Sequence, residues 1–177
     1  MGRFGLLTLS LLSVQVSLVG FQPLSGQEGI QAYDFLLGSW EGELEYLDYG
    51  DNRTRVQLPT ALECAAAEDG MALELEFSYE EPDGSIVASI ERLVETSEGL
   101  YFGDLWSIEE PAREVSPGVF RLVLARQGQD NGRDALIQNV ISVEQDELTI
   151  TTMVQYEGST DRLQRNQYRL VKAGQSG

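Results

Sequence analysis

The sequence predicts an all-β, antiparallel domain arranged as a barrel or a sandwich. Three observations carry that prediction. Apolar and polar residues alternate with a period of two along most of the chain from Trp40 onward, as they do on a half-buried strand. Clusters of Gly, Asp, Asn and Pro interrupt this alternation about every 12 residues, a turn spacing typical of sandwiches and barrels. Beyond Leu37, no segment carries the apolar period of a helix.

The elements follow in order. Ile30, Tyr33, Asp34 and Leu37 fall at i, i+3, i+4 and i+7, and three of them are apolar, which predicts a short helical segment over 29–37. Gly38 ends it, since glycine takes a left-handed conformation without a steric penalty. In the first strand Trp40, Gly42, Leu44 and Tyr46 face one way, and Glu41, Glu43 and Glu45 the other. Tyr49-Gly50-Asp51-Asn52 turns the chain into a second strand, 54–66. Pro59 lies off its apolar face of Val56, Leu58, Leu62 and Cys64 and suggests an irregularity. Strand 71–79 places Met71, Leu73, Leu75, Phe77 and Tyr79 on one face, and Pro82-Asp83-Gly84 closes a hairpin. Strand 85–95 is expected to turn Ile86, Ala88, Ile90 and Arg92 inward. The fifth strand, 100–108, carries Leu100, Phe102, Asp104, Trp106 and Ile108 in phase, and residues 109–118, with Pro111 and Pro117, read as a long loop. Strands at 119–126, 134–144, 148–156 and 163–172 complete a predicted set of nine, with Asn131-Gly132 as a strong hairpin signal.

A helical plug followed by Gly38-Ser39-Trp40 at the head of the first strand resembles the calycin superfamily, which includes the lipocalins and fatty-acid-binding proteins. The resemblance implies an antiparallel up-and-down β-barrel with a short N-terminal helical plug, closed at one end by Trp40. Its last strand would pair with its first, setting Arg165, Gln167 and Arg169 opposite Glu41, Glu43 and Glu45. The resemblance also implies a basic residue of the closing strand over the tryptophan; Arg169 matches that position and Arg165 is the alternative. The fatty-acid-binding branch anchors carboxylates through Arg-x-Tyr on the last strand. Here Asn166-Gln167-Tyr168 stands in that register, so the anchor is not expected.

Residues 1–26 are expected to be a signal peptide: Arg3 precedes an apolar run from Phe4 to Gly20, with cleavage near 20 or 26. Residues 27–177 then form a single domain that is secreted or periplasmic, with no stable membrane anchor. A net charge of −17 argues against nucleic acid, whose phosphates need a basic surface. Cys64 is the only cysteine, so no intramolecular disulfide forms, and its apolar neighbours predict a buried thiol. The chain has no histidine. That excludes imidazole bases, histidine-activated nucleophiles and histidine-ligated zinc or haem. No cofactor and no metal are expected, and the turn acids lack calcium-loop spacing.

The expected partner is a small apolar or amphipathic molecule held inside the barrel. Trp40, Tyr46, Phe77, Tyr79, Phe102 and Trp106 are the candidate lining, and Arg92 and Asp104 interrupt apolar faces as candidate polar anchors or as a buried ion pair. Two other functions remain open at this point. A barrel isomerase, cyclase or lyase would use Asp104 with Tyr46 or Tyr79, whereas an interaction or inhibitor module would use the 109–118 loop or the rim.

Overall fold

A computed structural model describes residues 30–174. The expected signal segment, residues 1–26, lies outside them. Ten strands follow a short helical entry: β1 (Gly38–Leu47), β2 (Arg55–Ala66), β3 (Leu73–Glu80), β4 (Ile86–Thr96), β5 (Gly99–Phe102), β6 (Asp104–Ser116), β7 (Val119–Asp130), β8 (Arg133–Glu144), β9 (Glu147–Tyr156) and β10 (Leu163–Lys172). Each pairs antiparallel with its neighbours in sequence, and β10 pairs with β1, so the sheet closes into an up-and-down barrel. Closure removes the sheet edges that would otherwise invite aggregation. Of the helical plug, the described part is a turn at Ile30–Gln31 and a 3-10 turn, Asp34–Leu36.

Ten strands stand where nine are expected, because the fifth folds back on itself at Gly103. The left-handed φ of +65° there lets Phe102 pair with Asp104, giving β5 and β6. Residues 109–116, expected in a loop, continue β6 against β7 through three register shifts, which accommodate Pro111. β5 is short. Residues 86–92 of β4 therefore have a partner in β3 and none on the β5 side, which leaves a notch in the wall below the Gly103 turn.

The upper end of the barrel, where the chain enters, is sealed by apolar packing. Trp40 is buried and donates its indole N–H to the Leu36 carbonyl at 2.9 Å, tying the 3-10 turn to the barrel. Phe35 stacks on Phe120 with centroids 5.3 Å apart. The base over Trp40 is Lys172, neither Arg169 nor Arg165: its ammonium lies 4.9 Å from the ring centroid and donates to the Leu37 carbonyl at 3.0 Å. Arg169 instead lies exposed on the outer face opposite Glu43, and Gln167 lies opposite Glu45.

The lower end is sealed by polar groups. A register shift between Gln164 and Asn166 turns Arg165 inward, where it is 1 % exposed. Its guanidinium is paired with Asp130, donates to Asn52 Oδ1 at 2.8 Å and to the Tyr156 hydroxyl at 2.9 Å, and lies over the Tyr49 ring. Tyr156 in turn donates to Asp130 at 2.5 Å. Such a buried charge is tolerated because it is both paired and hydrogen-bonded.

Closure depends on one close approach. A Cβ at Gly42 would lie 2.1 Å from the Arg169 carbonyl oxygen and 3.0 Å from the Leu170 Cα, both of them backbone atoms. Gly42→Ala should therefore destabilise the barrel by about 3 kcal/mol or more, at the top of the overpacking range, because a strand backbone yields less than a side chain. Urea unfolding checks this, and a loss under about 1 kcal/mol would show that the seam can open without cost.

Candidate functional site

The barrel interior divides at mid-height. In the upper half Leu62, Leu73, Leu93, Leu100, Leu122 and Leu148, with Trp40 and Trp106, form a filled core. The lower half holds a chamber of about 180 Å³, partly open to solvent, between this core and the Arg165 seal. Inward residues of six strands line it: Phe77 and Tyr79 from β3, Ser89 and Glu91 from β4, Phe102 from β5, Asn139 from β8, Ile150 and Thr152 from β9, and Asn166 and Tyr168 from β10.

Strand pairing fixes which face each residue presents. Phe77 pairs with Ser89 and Leu75 with Glu91, and paired residues share a face, so the odd-numbered residues of β4 point inward. The expected inward set of Ile86, Ala88, Ile90 and Arg92 is thus reversed; Ile86 and Ile90 are 64 % and 65 % exposed on the outer wall. Arg92 lies outside with them, bonded to Asp69 at 2.8 Å and 3.7 Å from Glu74. It does not pair with Asp104. The Asp104 side chain, 56 % exposed at the notch, faces Arg126 at 3.2 Å, and Arg126 lies over the Trp106 ring.

Of the eight residues expected at the site, Phe77, Tyr79 and Phe102 meet in the chamber. Trp40 and Trp106 belong to the packed core, and Tyr46 is half-buried on β1 outside the lining. Glu91, Tyr168, Asn139, Thr152 and Asn166 are chamber residues that the sequence reading passes over. A signal for Glu91 exists in the hairpin: Phe77 and Tyr79 fix the inward face of β3, and an odd-length connection carries that parity onto Val87, Ser89 and Glu91.

The chamber wall combines aromatic rings with polar groups. Phe77 and Tyr168 lie with centroids 5.1 Å apart and a 43° tilt, and Phe77 and Tyr79 stack at 6.2 Å. The Tyr79 and Tyr168 hydroxyls share a hydrogen bond of 2.9 Å. Thr152 donates to Asn139 Oδ1 at 2.7 Å, while the buried side-chain oxygen of Asn166 has no partner among the described residues. Glu91 sits at the notch. A Cβ on Gly103 would lie 3.1 Å from its Oε2, so the bare Gly103 turn makes room for the carboxylate. Burial holds the Tyr168 phenol far above the ordinary tyrosine range, with the Tyr79 hydroxyl and the Glu91 charge adding to the effect. Cys64 lies in the core, its thiol pushed up to about 12 by burial, too high for a nucleophile at neutral pH.

A larger depression of about 560 Å³ lies on the outer surface around Ser142, Glu144, Asp146 and Lys172. It has no aromatic wall, so the interior chamber is the better candidate. Among the described residues, no group of His, Cys, Asp and Glu could hold a metal ion, and no helix is long and apolar enough to cross a membrane.

No protein-family model matches the chain. No curated protein matches it either. Among solved structures, it is similar to the crystal structure of Rv2717c from M. tuberculosis. The match has a TM-score of 0.53 and 14 % sequence identity, and it covers 81 % of this chain and 96 % of that one. At that identity the likeness establishes a shared barrel fold.

The buried phenol has a measurable consequence. Folded Tyr168 keeps its proton at a pH where an exposed tyrosine has lost it. Its contribution is therefore fully present below the unfolded pKa of about 10 and is lost above it, at about 1.4 kcal/mol per pH unit. Tyr33, buried and bonded to Glu95, acts in the same direction. Stability should fall steeply above pH about 10, and Tyr168→Phe should flatten that slope by about one tyrosine's share. Denaturant titrations across this range check it; equal slopes in the two proteins would contradict the assignment.

Proposed function

We propose that this protein is a secreted or periplasmic carrier, with a calycin-like barrel, that holds one small amphipathic molecule in the lower chamber. The observation that carries the reading is the chamber itself: the rings of Phe77, Tyr79, Phe102 and Tyr168 share one space with the polar groups of Asn139, Thr152 and Asn166. Binding sites for small molecules have this character, an apolar body with a few placed polar groups. The calycin-like assignment rests on Gly38-x-Trp40 at the head of β1, with Trp40 sealing the upper end. Export is supported by Arg3 followed by the apolar run Phe4–Gly20, and the acidic charge of −17 weighs against nucleic acid as a partner.

Size narrows the cargo. Sites for drug-sized ligands span roughly 300–1,000 Å³, whereas a dry cavity of about 150 Å³ takes a single benzene. The chamber, at about 180 Å³, matches one substituted ring. It is too small for a fatty acyl chain, in keeping with the missing Arg-x-Tyr anchor.

Benzyl alcohol is a suitable first probe. Added to the isotope-labelled protein, it should shift NMR resonances of Phe77, Phe102, Ile150 and Tyr168 and leave those of the upper core in place. Ser89→Phe, which puts a ring into the chamber mouth, should abolish the shifts. A wild-type protein that gives no shifts, or a variant that binds equally well, would overturn the reading.

A further inference from the structure

Two ion pairs lie at the barrel interior and its notch, and one inward carboxylate stands apart from both. Arg165 faces Asp130 at the lower end, and Arg126 faces Asp104 at the notch. Glu91, half-buried in the chamber lining, forms no salt bridge among the described residues, and the lining contains no lysine or arginine. Arg126, the base at the notch, is already held by Asp104 and the Trp106 face. The unpartnered oxygen of Asn166 adds a second acceptor without a donor. The aromatic wall supplies the remaining element, because the faces of phenol and benzene rings attract cations.

Resting on the carrier reading above, we propose that the cargo is a protonated primary or secondary amine on a single ring, with Glu91 as its counter-ion at the notch. Its ammonium would donate to the Glu91 carboxylate and the Asn166 oxygen, and its ring would lie against Phe77 and Tyr168. A carboxylate or phosphate ligand is disfavoured, because it would meet Glu91 with no base in the lining to balance it. A quaternary ammonium satisfies the rings but has no N–H for Asn166. Entry is through the side: Glu91 stands where β4 lacks a partner and where Gly103 carries no side chain. A cation attracted by the acidic surface would reach this carboxylate first.

Three isosteric probes test the proposal: benzylamine as its ammonium at pH 7, benzyl alcohol and benzoate, each titrated into wild-type protein and Glu91→Gln by NMR at about 0.15 M salt. In the wild type, benzylammonium should bind at least tenfold more tightly than benzyl alcohol, and benzoate more weakly than either. Glu91→Gln should reduce that preference to less than threefold, while unchanged resonances of the upper core report an intact fold. Equal binding of amine and alcohol in the wild type would overturn this proposal and leave the carrier reading standing. A preference that survives Glu91→Gln would also overturn it, placing the selectivity in the general surface charge. If none of the three probes binds, the carrier reading falls and this proposal falls with it.

Discussion

The barrel depends on backbones that approach more closely than any side chain allows. At Gly42 the first strand crosses the last with room for a hydrogen and nothing larger, and at Gly99 a Cβ would lie 2.1 Å from the Trp106 carbonyl oxygen. Ten strands enclose a wider lumen than the Leu-rich core of this chain fills, so the sheet must coil tightly somewhere to close. The two glycines supply those places. Gly103 supplies a third bend, but its effect is different: it ends a strand pair early and breaks the wall instead of tightening it.

The two ends are then closed by different chemistry. The upper seal is apolar, centred on Trp40, and it stabilises by removing surface from water, roughly 25 cal/mol for each Å². The lower seal is a hydrogen-bonded ion pair, Arg165 with Asp130, surrounded by Tyr49, Asn52 and Tyr156. A buried pair of this kind adds little net stability, because desolvation offsets much of the attraction. Its consequence is geometric: it stops the interior side chains from collapsing downward. A chamber remains between an upper core that packs and a lower seal that is held by direction-specific bonds. With both ends shut, the notch beside β4 becomes the way in.

Much of the architecture is legible in the sequence, and the reasons are local. Trp40 after Gly38, the acidic outer row of β1, the alternation of β3 and the Asn131-Gly132 hairpin each follow from period and turn chemistry, which depend on neighbours a few residues away. What escaped depends on pairing. Ile86 and Ile90 look like core residues by type, yet the hairpin register turns them outward and brings Ser89 and Glu91 in. Asn166-Gln167-Tyr168 reads only as a missing carboxylate anchor, because nothing in that segment says that Tyr168 meets Phe77 and Tyr79 across the lumen. Residues 109–116 look like a loop because of Pro111, whereas bulges let β6 absorb it. Three of the four chamber rings, Phe77, Tyr79 and Phe102, are thus visible from strand alternation, and Tyr168 and the polar groups are not.

Those polar groups are what separate a chamber from a badly packed core. An unfilled apolar cavity destabilises in proportion to its size, about 24 cal/mol for each Å³ by the behaviour of truncated cores. A chain selected for stability alone could fill this one with larger residues at Ser89 or Thr152. It carries instead a carboxylate with no base, an amide oxygen with no donor and a phenol held far from ionisation by burial. The amide oxygen is unfavourable in the empty protein, since buried polar groups normally find partners, and the half-buried carboxylate has no base beside it. The three groups lie on two strands, Glu91 on β4 and Asn166 and Tyr168 at successive inward positions of β10, and converge on one space. A filled core would need none of them; a guest that brings donors and positive charge would satisfy the carboxylate and the amide together.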